Sequence, residues 1–305
     1  MQILAESDEN CVPVRASLNI PMRKAGIPDD MNDVTADTQY ALGHSDKELI
    51  RLERQGQIFG AETREILRHA GLAPGMKVLD VGCGVGDVSL IAAELVGPTG
   101  KVTGIDNAEN ALALAKARAS RAGYHWIDFE TADLYAYEAP EPFDAVIGRF
   151  ILMHVRDAVE AVKLAAGMAK PRGVVSFIEL DVDQTSSVPE LPLLTQCAKW
   201  VVGTYRKAGA IPNMGAMLYP TFRSAGLSPR LAGSCRIESG PDSIAYEFVA
   251  ESLRSLLPAI VAHGIATAEE VGVDTIAARL RDDTLAGDHA IFLPRLVGAW
   301  ATIDA

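Results

Sequence analysis

The sequence predicts a doubly wound α/β fold, a seven-stranded and mostly parallel sheet with an N-terminal helical lid and a C-terminal helical insertion. Three observations carry this expectation. From Val78 to Glu179, short apolar runs alternate with helical stretches of about 10 to 15 residues, the pattern of parallel strands covered on both faces. The first run, Val78-Leu79-Asp80-Val81, leads straight into Gly82-Cys83-Gly84-Val85-Gly86, three glycines at alternate positions ahead of a helix. The second run, Val102-Thr103-Gly104-Ile105, ends on Asp106. A carboxylate at that place in a βαβ unit accepts hydrogen bonds from ribose hydroxyls.

Composition narrows the class. A chain of 305 residues corresponds to roughly two domains, or one large domain with a lid. Apolar residues at 49% and charged residues at 22% suit a folded globular protein. A net charge of −12 repels phosphate backbones, so no nucleic-acid partner is expected. No apolar run approaches the roughly 18 to 20 residues that span a bilayer, and no basic region followed by an apolar stretch marks a secretory signal. Cys11, Cys83, Cys197 and Cys235 show no C-x-x-C spacing. Neither a disulfide framework nor a metal site is expected, and free thiols suit the cytoplasm.

The elements follow in order. Residues 1–32, with Pro13, Pro21 and Pro28 and no sustained period, read as a flexible leader. Residues 33–73 read as lid helices: Leu42, Leu49, Ile58 and Ile66 recur among charges at helical spacing, and Ser45 with Glu48 has a capping-box spacing. Gly71 and Pro74-Gly75 break the pattern. The core, residues 74–183, predicts strands at Val78–Val81, Val102–Ile105, Trp126–Glu130, Asp144–Ile147 and Val174–Glu179. Helices are expected at Val88–Val96, Ala108–Arg121 and Ala158–Ala169. Residues 184–305 predict helices at Leu193–Ala208, Ile244–His263 and Ala268–Arg281, and strands at Leu231–Ile237 and Ala290–Leu296. The segment from about 241 to 287 is too long for a hairpin loop and reads as a cap over a small substrate.

Glycines serve where the backbone turns sharply or a ligand must approach it closely, and amides at a helix N-terminus favour an electron-rich group. These features fit any adenosine-containing cofactor. The dinucleotide fingerprint G-x-G-x-x-G places its third glycine at position 87, where this chain has Asp. Asp87 beside a pyrophosphate would be repulsive, and Asp80 is better matched to a cationic amino group.

At these residues the sequence resembles the class I S-adenosylmethionine-dependent methyltransferases. VLDVGCGVG is similar to their first motif and GKVTGIDNAENAL to their second. Thr131-Ala132-Asp133-Leu134 resembles the adenine-binding segment, and PFDAVIGRFILMHV the fourth strand, especially of quinone-biosynthesis C-methyltransferases. The resemblance implies their Rossmann-like fold and S-adenosyl-L-methionine as cofactor. It implies that Gly82, Gly84 and Gly86 line the methionine moiety around a structural Cys83, with Asp80 facing its amino group. Asp106 would bind the ribose, Asn107 border the adenine, and Asp133 with Leu134 bind beside it. Arg149 would reach the methionine end or the acceptor. Tyr40 and Gln55, on the lid ahead of the first motif, are further candidates for cofactor contact.

Methyl transfer needs positioning and exclusion of water, and a base only when the acceptor is a phenol, alcohol, amide or acidic carbon. His154, after the fourth strand, is the candidate base. Glu179, following the fifth, is a weaker candidate, read more readily as a solvated loop carboxylate. The function expected is transfer of a methyl group to O, N or C of a small, aromatic or apolar acceptor, by a monomer or a homodimer. The alternatives are a cofactor-binding protein without methyl transfer, such as a regulator or a non-methylating catalyst, and an NAD-dependent oxidoreductase.

Overall fold

The computed structural model describes residues 46–304, with side chains from Ile58 onward. The leader, Ser45 and Tyr40 lie outside the described residues, as does the side chain of Gln55. The elements, in chain order, are α1 (Asp46–Ala70), β1 (Lys77–Val81), α2 (Asp87–Val96), β2 (Lys101–Asp106), α3 (Glu109–Ala122) and β3 (Ile127–Thr131). Then come β4 (Phe143–Arg149), α4 (Ala158–Met168), β5 (Ala169–Asp181), β6 (Ser186–Val188), α5 (Pro192–Lys207) and α6 (Met214–Ser224). The chain ends with β7 (Arg230–Ser234), β8 (Ile237–Glu238), α7 (Ala245–Ala262), α8 (Ala268–Val271), α9 (Ile276–Ala286), β9 (Ala290–Phe292) and β10 (Arg295–Thr302).

Seven strands form one sheet in the order β3-β2-β1-β4-β5-β10-β7. The first five run parallel, and β10 is antiparallel to both β5 and β7. This is the doubly wound sheet expected from the alternation of apolar runs and helices. Side chains alternate across it: along β5, Val174, Ile178 and Leu180 enter one core, and Val175 and Phe177 the other. The first core packs under α1, α2 and α3 and continues into α5, α7 and α9. The second packs under α4 and α6. The strand order reverses at β1 and β4, so their C-terminal ends open the crevice in which such sheets bind ligands.

Four elements depart from expectation, each for a physical reason. The stretch 214–224, which carries Pro220, was not expected to be helical, yet α6 forms. Leu218 and Phe222 are fully buried on it, and Asp181 on β5 accepts the N–H of Ala216 (2.6 Å) in its first turn. The single helix expected over 268–281 is two, because Gly272 takes a left-handed conformation (φ 55°) and ends α8 after one turn. The expected strands at 231–237 and 290–296 each split between sheets, giving β7 and β10 to the main sheet and β8 and β9 to a second, ordered β6-β9-β8. Helices α7 to α9 lie in the chain between β8 and β9, in the segment expected to be helical.

Candidate active site

The site begins where β1 stops. Val78, Leu79, Asp80 and Val81 are all buried, and the chain then turns through Gly82, Gly84 and Gly86 at φ of 64°, 51° and 82°. The left-handed region favours glycine at all three, but they face different surroundings. A Cβ on Gly82 would collide with Ile151, and one on Gly86 would lie 3.1 Å from Ala115 and Phe129. Only at Gly84 is there open space. At two of the three, the missing side chain lets the loop pack against its own protein.

Asp106, at the end of β2, ties the loop down. Its Oδ2 accepts the N–H of Gly84 (2.8 Å) and its Oδ1 that of Ala108 (2.9 Å). Each oxygen keeps a lone pair for a hydroxyl group. Asp106 also pairs with Thr131 across β2 and β3, which brings Asp133 alongside. Asp133 and Asn107 are exposed, and Asp133 Oδ1 accepts the N–H of Tyr135 (2.7 Å). Leu134 is buried in the second core.

Beneath the loop lies Asp80, fully buried, with Oδ2 accepting from Ser89 (2.6 Å) and Oδ1 without a partner among the described residues. Burial pushes its carboxyl up to about 7, opposed by the Ser89 hydrogen bond and the Arg149 guanidinium. Cys83 is buried as well, and desolvation beside Asp80 and Asp106 holds its thiol well above the usual range. That makes it inert packing rather than a nucleophile.

One expectation about charge needs correction. Asp87 does not confront the ligand position: it pairs with Arg118 (2.7 Å) and Arg149 (3.5 Å), and Gly56 of α1 sits against its carboxylate with no room for a side chain. The repulsion argued from Asp87 therefore does not hold, because two guanidinium groups balance it. Arg149 is held by the protein itself, with its charge beside Asp80 and Asp87. Its guanidinium is buried, donates to Thr63 of α1 (3.0 Å), and lies 5.0 Å from the centre of the Phe150 ring. Arg118, which sequence reasoning missed, also donates to the Val85 carbonyl (2.6 Å) and so pins the glycine loop to α3. Nothing local distinguishes that arginine in an alanine-rich helix; its partners lie 31 and 33 residues away.

The opposite wall is the turn after β4. Glu179 is not a solvated loop residue but lies inside β5, fully buried, because that strand runs on to Asp181. Its Oε1 accepts the N–H groups of Ile151 (3.0 Å) and Leu152 (2.7 Å). Burial pushes its carboxyl up to about 8 against these backbone hydrogen bonds. Two residues on, Asp181 is bound by Arg295 of β10 and is not available as a base. His154 is half-buried on the connecting turn, its N–H on the Ile151 carbonyl (2.9 Å) and its ring edge-on to Tyr205 of α5 at 6.0 Å.

A sheet-end crevice, an open glycine, a strand-end carboxylate and a buried acid with one unpartnered oxygen stand together. Comparison with known proteins shows which family uses them. A family described as the methyltransferase domain matches residues 72–224, half of the chain. The chain belongs to the class I S-adenosylmethionine-dependent methyltransferases. It is 34% identical over 139 residues to the demethylmenaquinone methyltransferases of Staphylococcus aureus strains JH9 and Newman, a match covering 44% of this chain and 52% of each relative. The chain thus spans about half the length of these curated relatives. Among solved structures, the YcgJ protein of Bacillus subtilis superposes with a TM-score of 0.55 at 14% identity, covering 80% of this chain and 99% of that one. A putative methyltransferase of Bacillus halodurans gives 0.55 at 18%, covering 80% and 100%. These two likenesses show the fold. The family's cofactor is S-adenosylmethionine, and the residues present fit it: the Asp80 oxygen with no partner among the described residues suits a cationic amino group, and the open face of Gly84 leaves room for close approach. No helix among the described residues is long and apolar enough to cross a membrane.

Proposed function

We propose that this protein transfers a methyl group from S-adenosylmethionine to O, N or C of a small aromatic or apolar acceptor. The observation that carries the reading is the juxtaposition of the Gly84 opening with the turn 150–154, joined where Ile151 packs on Gly82. When bound, the cofactor supplies an electrophilic methyl on a sulfonium. Asp80 takes the cationic amino group, Asp106 accepts from the ribose hydroxyls, and Asn107 with Asp133 flank the adenine. The post-β4 turn and the helices of the C-terminal part exclude water and orient the acceptor.

His154 stands on that turn and serves as base when the acceptor must lose a proton, since an imidazole titrates near neutrality. The relatives named for demethylmenaquinone favour an aromatic quinol over an aliphatic amine. Radiolabelled S-adenosylmethionine incubated with a panel of quinols, phenols and amines tests the reading. Label transfer to a quinol or phenol is expected, and His154→Ala should lower kcat by roughly 10² to 10⁴-fold while leaving cofactor affinity nearly unchanged. Transfer to none of the panel, with the cofactor bound, would favour a cofactor-binding protein without methyl transfer.

A further inference from the structure

The turn that follows β4 is held in a conformation its own residues do not prefer. Phe150 has φ 59°, the left-handed region, which is costly for a bulky side chain and persists only where the surroundings over-determine it. Three consecutive amides account for the constraint, all donated to β5. The Phe150 N–H goes to the Ile178 carbonyl (2.9 Å), and those of Ile151 and Leu152 go to Glu179 Oε1. Local contacts close the turn: the Phe150 ring packs edge-on against Phe59 (5.7 Å between centres), and His154 N–H returns to the Ile151 carbonyl. Ile151 in turn fills the space a Cβ on Gly82 would need. Two of the three amides that anchor the wall from the glycine loop to His154 thus rest on one carboxyl oxygen.

We infer that Glu179 is a positioning residue, which holds the 150–154 turn through Oε1 and so sets Ile151 and His154 relative to the transferred methyl. The inference rests on the methyltransferase reading above. Its chemistry is simple: Oε1 accepts the N–H groups of Ile151 and Leu152, with the Met153 N–H also directed at the carboxyl, a role that an amide oxygen performs equally well. Its second oxygen is buried with no partner among the described residues, so the hydrogen-bonding work seen in the structure falls on Oε1 alone. A base would behave differently, because an amide cannot take a proton from the acceptor. Glu179→Gln and Glu179→Met therefore separate positioning from proton transfer.

The experiment follows amide hydrogen exchange of residues 150–154 in the parent protein and both variants. The dissociation constant of S-adenosylhomocysteine and the methylation of 1,4-naphthohydroquinone are measured alongside. In Glu179→Met, exchange of Ile151 and Leu152 should quicken at least about tenfold. Its KM for the naphthohydroquinone should rise about tenfold with a lower kcat, while the S-adenosylhomocysteine constant stays within about threefold. Glu179→Gln should restore protection and most of the rate. Parental protection in the Met variant would overturn the inference. So would a Gln variant that keeps the turn protected yet loses rate as the Met variant does, because that marks Glu179 as a proton acceptor. If no protein methylates the naphthohydroquinone, the acceptor reading fails by itself and the exchange result alone decides the role of Glu179. Should the Met variant not fold, Glu179→Asp, whose shorter arm withdraws the oxygen from both amides, takes its place under the same criteria.

Discussion

Asp80 combines burial, a single hydrogen bond from Ser89 and a carboxyl pushed up to about 7, so near neutral pH it is partly protonated before a ligand binds. A cationic amino group beside it favours the ionised form and lowers that pKa. Binding of S-adenosylhomocysteine near pH 7 should therefore release a proton, and affinity should rise with pH between about 5 and 7. Calorimetry in buffers of different ionisation enthalpy would show this as a buffer-dependent binding enthalpy, absent in Asp80→Asn. Asp106→Ala should weaken the same ligand by about 1.5 to 3 kcal/mol, the range for a hydrogen bond with a charged partner. Calorimetry on the folded variant checks it; parental affinity would remove Asp106 from the site. The placement of Asp80, Gly84 and Asp106 at the ends of β1 and β2 was legible in the sequence because one strand-turn-helix and the next strand contain everything that defines it. Arg118 and Thr63 were not, because their partners Asp87 and Arg149 lie 31 and 86 residues away. Glu179 was misjudged for a related reason: its strand runs on to Asp181, so a carboxylate expected to be solvated at the strand's end is buried inside it.

Helix α1 meets the cofactor loop through a compact charged joint. Gly56 admits the Asp87 carboxylate, and Thr63 receives the Arg149 guanidinium, which otherwise lies between Asp87 and Asp80. Removing one member of a buried ion pair leaves an uncompensated charge, which typically costs about 3 to 5 kcal/mol. Arg149→Met should therefore lower stability by an amount of that order, with Arg118 limiting the loss. Urea unfolding measures it, and a change below about 1 kcal/mol would mean that the joint behaves as an exposed pair. Elements defined by their own pattern were readable: β1 by its apolar run and α3 by its alanines, while α4, expected from Ala158, starts at the Asp157 cap that accepts from Glu160 (3.0 Å). Helix α6 was hidden because its stabilising partners are Asp181 and the second core, while the local signal is a proline at position 220. The break between α8 and α9 had its signal in Gly272, outweighed by the apolar spacing on either side.

Across the whole molecule, two buried carboxyls couple folding to pH. Asp80 and Glu179 have folded pKa values of about 7 and 8, above the values near 4 of the unfolded chain. Between those limits the native state binds more protons than the unfolded state, so these groups make stability fall as pH rises from about 4 toward 8. Glu179→Gln has no such proton to lose, and its stability relative to the parent should improve steadily from about pH 5 to 8, by a few kcal/mol at most. Unfolding midpoints of both proteins across that range test the sign; a constant difference would mean that Glu179 is ionised throughout. The doubly wound topology was legible because parallel strands buried on both faces need continuous apolar runs. The second sheet was not, since β6, β8 and β9 are only two or three residues long. The central claim is that this chain binds S-adenosylmethionine at the glycine turn between β1 and α2. Calorimetric titration of S-adenosylhomocysteine into the parent protein and Gly84→Val tests it most directly. Saturable one-to-one binding is expected of the parent and none of the folded variant, whose side chain occupies the open face of the turn. Equal binding by both proteins would contradict it.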